Sequence, residues 1–473
     1  LPIYFSTGSL ITRLTNDITQ IQNMIMMTLR MCLRSPGILI GAMVMAFVIS
    51  PKLAAIFIIV LPVLAVLIVV IMRRAFPQFR TLQEKLDALN SCIQEGLVGI
   101  RLIKSFVRGD YEEMRFEKRN QQLKEANLTA MKTMLLYTPL MTLALNITTV
   151  VVVWSGGNMI VAGNMQVGDL TAFTNYIVQI MSSLTMLSIA FLNWARAIAS
   201  FRRVGEVLDE KIDLTDENAK HKDRAVCEGS VEFQNVSFRY YKNSPEWVIE
   251  NISFKLEAGK TLGIIGSTGS GKSTLVSMIP RLYDTDEGTV LVDGINVRDY
   301  GLKPLREGIG MVLQNNTLFS GSITENLKWG DEHADEKAVR KAAQNAQAAG
   351  FIDSFKDGYR TRLEQSGNNV SGGQKQRLCI ARALLKCPKI LILDDSTSAV
   401  DTATERAIRE ALHSEYKDMT KIIIAQRIRS VMDADEILVL DNGKTAGFGT
   451  HEQLLADCPV YREIYDVQNG REE

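Results

Sequence analysis

The chain has 473 residues with 53 basic and 53 acidic side chains, a balance that gives no general electrostatic attraction to nucleic acid. Its apolar residues are unevenly spread: the first two hundred positions carry long uncharged runs, and the rest has the composition of a soluble α/β domain. Cys32, Cys92, Cys227, Cys379, Cys387 and Cys458 form no C-x-x-C pair and no metal spacing, which argues for reduced thiols and against a zinc site or a disulfide framework.

The opening Leu1-Pro2-Ile3-Tyr4-Phe5 has neither an initiator Met nor the form of a signal peptide, and reads as the start of a fragment. In residues 6–23, Leu10, Ile11, Leu14, Ile18 and Ile21 fall at helical spacing among polar neighbours, so a helix begins in water. It continues past Arg30 and Arg34 into the uncharged run 35–51, near the short limit for spanning hydrocarbon. Residues 53–72 are long enough to cross at 1.5 Å per residue, with Pro62 expected to kink that helix rather than end it. Runs 134–163 and 170–195 each suffice to span with some tilt, which makes four predicted crossings.

Orientation follows from Lys and Arg placement. Arg73, Arg74, Arg80, Lys85, Arg101, Lys104, Arg108 and Lys132 crowd the connection between the second and third crossings, and Arg196, Arg202 and Arg203 follow the fourth. By the positive-inside rule these sides are cytosolic. The opposite connections, at 50–52 and 164–169, are tiny, so the helices are expected to run well beyond the bilayer into the cytosol. Residues 73–132 stay helical in pattern, as two long helices joined near 97–108 (LVGIRLIKSFVR). That turn mixes apolar and basic residues, and fits either docking on a soluble domain or a solvated amphipathic loop. Met43, Met45, Met181, Met186, Phe191 and Trp194 could line a greasy cavity, though in membrane helices such residues more often face lipid or neighbouring helices.

Residues 210–228 are charged and aperiodic and read as a linker between a membrane domain, 1–209, and a soluble domain, 229–473. In the soluble part, 231–238 alternates as a strand, 261–265 reads as a buried strand and 274–282 as a helix. Between the last two lies Gly266-Ser267-Thr268-Gly269-Ser270-Gly271-Lys272-Ser273-Thr274, which satisfies G-x-x-x-x-G-K-[ST]. Its glycines let backbone N–H groups turn toward phosphate oxygens, Lys272 reaches the outer phosphates, and the Ser273 hydroxyl can ligate Mg²⁺. The apolar strand 389–393 ends in Asp394 and Asp395, where Asp394 can serve the same Mg²⁺. Ser371, Gly372, Gly373 and Gln374 lead into a predicted helix over 375–385, whose start can bind another phosphate.

The phosphate loop, Val370-Ser371-Gly372-Gly373-Gln374, Ile390-Leu391-Ile392-Leu393-Asp394-Asp395 and Ser398-Ala399-Val400-Asp401, in this order and spacing, resemble the nucleotide-binding domain of an ATP-binding cassette (ABC) transporter. With the membrane runs in front, the chain resembles an ABC exporter half-transporter of the bacterial heterodimeric multidrug type. The fold implied is an α-helical transmembrane domain, four of whose six helices are present, followed by an α/β P-loop nucleotide-binding domain. The segment at 1–8 looks like the one before the third helix, so the first two helices would lie outside this chain.

The resemblance implies ATP and Mg²⁺ as ligands, a multi-pass place in a bacterial inner or plasma membrane with the nucleotide domain cytoplasmic, and partners comprising a second half-transporter, the lipid bilayer and a hydrophobic small molecule. Tyr240 matches the aromatic that stacks on adenine, with Tyr241 as an alternative, and Gln314 matches the Q-loop residue that contacts Mg²⁺. Asp401 belongs to the D-loop, and Glu364 falls where exporters carry a loop touching the membrane helices. Ser371, Gly372, Gly373 and Gln374 would close in trans on the partner's ATP.

Two positions depart from the family pattern. Asp395 stands where the general base is Glu, and Gln426 where the family's switch residue, which holds the γ-phosphate, is His; Gln426 can donate a hydrogen bond but cannot carry a proton. An intact signature beside a weakened site of its own implies one subunit of a heterodimeric exporter of hydrophobic compounds, hydrolysing mainly at the partner's site. The alternatives are a homodimeric lipid or peptide exporter that tolerates Asp395, and an ATP-binding gating or regulatory subunit.

Overall fold

The computed structural model describes residues 5–242, 244–395 and 400–470, without the side chains of 32 and 188–196. The chain divides between Glu210 and Lys211 into two compact units. The charged stretch expected as a linker falls at that division, and from Lys211 onward it belongs to the second unit. There Asp216 accepts the Leu302 N–H at 3.0 Å and the His221 N–H donates to the Asp299 carbonyl at 2.7 Å.

The first unit is helical, as segments that must pair every backbone polar group internally have to be. Ser50 restarts the helical path after the first apolar run: its hydroxyl accepts the Leu53 N–H at 3.4 Å, with Pro51 at the first helical position. The helix Ile56–Val98 then passes through Pro62 and Pro77 without ending. A short helix, Ile100–Ser105, turns the chain into Gly109–Leu135, with Leu97, Val98, Leu102 and Phe106 exposed around the turn. Among the described residues, three helical runs are long and apolar enough to cross a membrane: Thr7–Ile49, Pro51–Val98 and Gly109–Val161. The fourth predicted crossing lies in the helix Val167–Leu208, where 188–196 fall outside the described side chains.

Phe57, Val152, Phe173 and Ile177 form the centre of this unit, with the Phe57 and Phe173 rings stacked 5.6 Å apart. Gly156 permits close helix approach, because a Cβ there would come within 2.5 Å of Leu170 Cδ1. Ile58, Ile59, Val63 and Val66 face outward, where lipid is the compatible solvent. Asp17, fully buried, is held by Arg203 and by the Ser200 hydroxyl of Val167–Leu208, so its charge is paired rather than stranded. Of the residues considered for a greasy cavity, Met181 is buried while Met45 and Met186 are exposed; Phe191 and Trp194 lie outside the described side chains.

The second unit is built on a six-stranded sheet of β12 (Lys444–Gly449), β11 (Glu436–Asp441), β3 (Thr261–Gly266), β10 (Thr420–Ile424), β9 (Ile390–Asp394) and β6 (Ile309–Val312), in that order. All neighbours are parallel except β11 and β12. Parallel strands need cover on both faces, and β9 is accordingly buried at every residue. A four-stranded antiparallel sheet joins β2 (Ile249–Leu256), β1 (Val231–Phe238), β4 (Glu287–Val292) and β5 (Ile295–Asn296), with Phe233 and Phe254 stacked 4.7 Å apart. A small ladder pairs β7 (Gly321–Ser322) with β8 (Arg362–Leu363).

Register places the site. Ile264 of β3 and Asp394 of β9 both align with Ile424 of β10, so three strands end together at one edge, where α/β sheets bind ligands. The helix predicted over 274–282 instead spans Lys272–Ser277. Pro280 explains the early end, since it cannot donate a helical bond and disfavours helix at the residue before it. The remaining residues wind on through three-residue turns, with Met278 N–H on the Leu275 carbonyl and Arg281 N–H on that of Met278.

Candidate nucleotide site

The phosphate loop leaves β3 at Gly266 and enters its helix at Lys272, and backbone packing fixes two of its glycines. A Cβ at Gly266 would sit 2.1 Å from the Leu440 carbonyl oxygen. At Gly271, in the left-handed region with φ 90°, it would meet Ile249 Cγ2 at 2.7 Å and the Val248 carbonyl at 2.9 Å. Gly269 also has positive φ, yet a Cβ there would meet nothing within 4 Å, so the loop is open at this point. Lys272 bends over this loop: its ammonium donates to the Gly266 carbonyl at 2.8 Å and the Ser267 carbonyl at 2.6 Å. Burial lowers its pKa, against the opposing pull of Asp394 and Asp395.

Asp394 ends β9 almost fully buried, and burial raises its pKa, opposed by a hydrogen bond from Ser273. A hydroxyl and a carboxylate already in contact supply the hard oxygen donors that Mg²⁺ prefers, so this pair fits the ion. The next residue, Asp395, adopts φ 46°, a left-handed conformation uncommon for a residue with a side chain. Its N–H donates to the Ile424 carbonyl at 3.1 Å, tying the ends of β9 and β10. Burial raises the Asp395 pKa as well; hydrogen bonds from Gln426 and Gln314, and the charges of Lys272 and Arg427, oppose that rise. The Gln426 amide reaches Asp395 Oδ2 at 2.8 Å. Gln314, Asp395 and Gln426, far apart in the chain, therefore meet at one point.

Tyr240 lies on the other flank. Its hydroxyl is 2.9 Å from Thr274 Oγ1, and its ring meets Phe238 and Tyr283 edge-on at 5.1 and 5.3 Å, leaving it 38% exposed. Tyr241 is more exposed, at 64%, so Tyr240 is the better-held ring. Tyr283 belongs to this aromatic group, although no motif marks it in the sequence.

Ser371, Gly372, Gly373 and Gln374 stand apart from this cluster. Ser371 caps the helix Gly372–Leu385, which starts three residues earlier than predicted, through a reciprocal pair: Gln374 N–H to Ser371 Oγ at 3.3 Å and Ser371 N–H to Gln374 Oε1 at 2.9 Å. Ser371 and Gly372 are exposed, and no hydrogen bond among the described residues joins the four to the phosphate loop. Asp401 caps Thr402–Glu415 by accepting the Thr404 N–H at 3.0 Å, while Ser398 and Ala399 lie outside the described residues. Glu364 is exposed, its N–H bonded to Asn369 Oδ1 at 3.0 Å.

Comparisons with known proteins agree on both units. Residues 5–184 match the family model for the ABC transporter transmembrane region, and 249–398 match that of the ABC transporter. The ABC transporter ATP-binding protein YfiB of Bacillus subtilis is 42% identical over 468 residues, covering 99% of this chain and 81% of YfiB. YgaD of the same organism, an ATP-binding/permease protein named provisionally for multidrug export, is 36% identical over 470 residues, 98% of this chain and 80% of YgaD. Among solved structures, a bacterial Atm1-family ABC exporter with ATP bound superposes with a TM-score of 0.85 at 27% identity, over 99% of this chain and 82% of that one.

Proposed function

Because the chain belongs to the ABC transporter family, as an exporter membrane region joined to an ATPase domain, we propose that it is one subunit of a heterodimeric exporter of hydrophobic compounds. ABC exporters act as dimers in the membrane and hydrolyse ATP; here the two sites do unequal work. The name of YgaD supports the drug-like substrate class.

At this chain's site, backbone N–H groups of Gly269, Gly271 and Lys272 bind the outer phosphates, and the Lys272 ammonium leaves its two carbonyls to join them. Ser273, Asp394 and Gln314 would hold Mg²⁺, which would supply positive charge against the phosphates. Tyr240 offers adenine a ring held edge-on by Phe238 and Tyr283. Asp395 occupies the general-base position. One methylene shorter than Glu, it falls back by roughly 1.5 Å, about half the reach over which a base must contact its water.

One observation carries the reading of unequal sites: the Gln426 amide donates to Asp395 at 2.8 Å. It occupies a carboxylate oxygen that a water would otherwise approach, and an amide can neither take up nor relay a proton. ATP bound here is therefore retained more than cleaved. Ser371, Gly372, Gly373 and Gln374, exposed at a helix start, close on the partner's ATP, where hydrolysis resets the dimer.

The purified chain in lipid nanodiscs is expected to bind ATP with turnover near background, and to gain activity when mixed with a half-transporter that has Glu and His at the matching positions. Rapid hydrolysis by the isolated chain would rule the heterodimer out. Uptake of a dye against its gradient into vesicles holding both chains separates a pump from a gate.

A further inference from the structure

The helix Pro459–Gln468 ends on a side-chain amide aimed at the loop that carries Gln426. Gln468 Oε1 accepts the Ile428 N–H at 2.8 Å, and Gln468 Nε2 donates to the Gln426 carbonyl at 2.8 Å. A primary amide presents acceptor and donor in one plane, so this single side chain satisfies backbone groups two residues apart, as a neighbouring strand would. The backbone from Gln426 to Ile428 cannot turn without breaking both bonds.

The support beneath is firm. Ile428 and Val431 of the loop share one buried cluster with Leu454, Cys458 and Tyr461. Arg409 donates to the Arg429 carbonyl at 2.8 Å, which ties down the far end of the loop. From this fixed backbone the Gln426 side chain extends the other way, to Asp395.

We infer that Gln468 is a positioning residue: it sets Gln426 at the γ-phosphate end of the nucleotide site and makes the last described helix a brace for that site. This rests on the reading of Gln426 as a γ-phosphate contact, and goes beyond it in assigning a role to a residue outside every motif.

The test uses the full chain in nanodiscs with Gln468→Met, which keeps the bulk and loses both hydrogen bonds, and Gln468→Ala beside it. Amide hydrogen exchange across residues 426–430 is expected to quicken about tenfold in both variants, because the Ile428 N–H loses its acceptor. The affinity ratio of ATP to ADP is expected to fall by roughly three- to tenfold with ADP affinity unchanged, and to fall no further when Gln468→Met is added to Gln426→Ala. Unchanged exchange overturns the brace, and so does an equal loss of ATP and ADP affinity, which marks general damage to the fold. If Gln426→Ala itself leaves the ratio intact, the γ-phosphate reading of Gln426 fails, and the exchange rates alone then decide whether Gln468 holds the loop.

Discussion

Asp395 and Gln426 show how much chemistry can rest on a methylene and a ring. The Asp395 carboxylate is anchored by its own backbone at the end of β9 and accepts from Gln426 at 2.8 Å, so it has little freedom to lean toward a water. Restoring reach and proton-carrying ability together is expected to raise ATP turnover of the isolated chain by about 10- to 100-fold in the double variant Asp395→Glu with Gln426→His, measured as phosphate release. Each single variant is expected to recover only part of that, because the groups act as a unit. Turnover that stays at background in the double variant would place the limitation elsewhere. Both departures are legible in the sequence, because the motif fixes their positions. Their hydrogen bond to one another is not, since it depends on Ile424 lying beside Asp394 across β10 and β9.

Among the elements, the strand-to-loop junctions follow from local rules while the last helix does not. β9 and β3 are continuous apolar runs closed by polar residues, and their existence and type follow from that pattern. The Lys272–Ser277 helix is shorter than its apolar pattern suggests because Pro280 intervenes, a local signal that overrides the period. Pro459–Gln468 has its own amphipathic pattern, but what it packs against is a tertiary fact. Tyr461, fully buried and 2.7 Å from His451 Nδ1, anchors it, and burial pushes the Tyr461 phenol up to about 12. An unfolded phenol titrates near 10, so between these values the unfolded form has lost its proton and the native form has kept it. Stability of this packing is therefore unaffected below about pH 10 and falls as pH rises through the window, by up to roughly 2.7 kcal/mol. Tyr461→Phe is expected to remove that alkaline loss, seen as hydrogen exchange across 459–468 rising between pH 9 and pH 11 in the parent more than the chemical rate requires. An equal rise in the Phe variant would assign the effect to another group.

On the scale of the whole molecule, the proposed pairing has each chain supply half of two sites. Among the described residues Ser371 makes no hydrogen bond to the phosphate loop of its own chain, so its contribution is expected to appear only in the assembled pair. Ser371→Ala is expected to leave ATP binding by this chain unchanged and to lower turnover of the pair by roughly 10- to 100-fold. It also removes a helix cap, worth about 0.5–2 kcal/mol. Ser371→Asp separates these effects, since it keeps a cap while setting negative charge against phosphate, and is expected to lose turnover as severely. Full activity in both variants would mean that this signature serves no site. By itself the sequence determined the order of units, the runs able to cross a membrane, the phosphate loop, the paired carboxylates and the two departures, because each rests on residue type at short spacing. Only tertiary structure decided that Gln314, Asp395 and Gln426 converge, that Tyr283 meets Tyr240 edge-on, that the linker from Lys211 onward belongs to the nucleotide unit, and that Gln468 holds the switch loop. These depend on which strands lie side by side and which distant side chains meet their free backbone groups, and no local pattern encodes that.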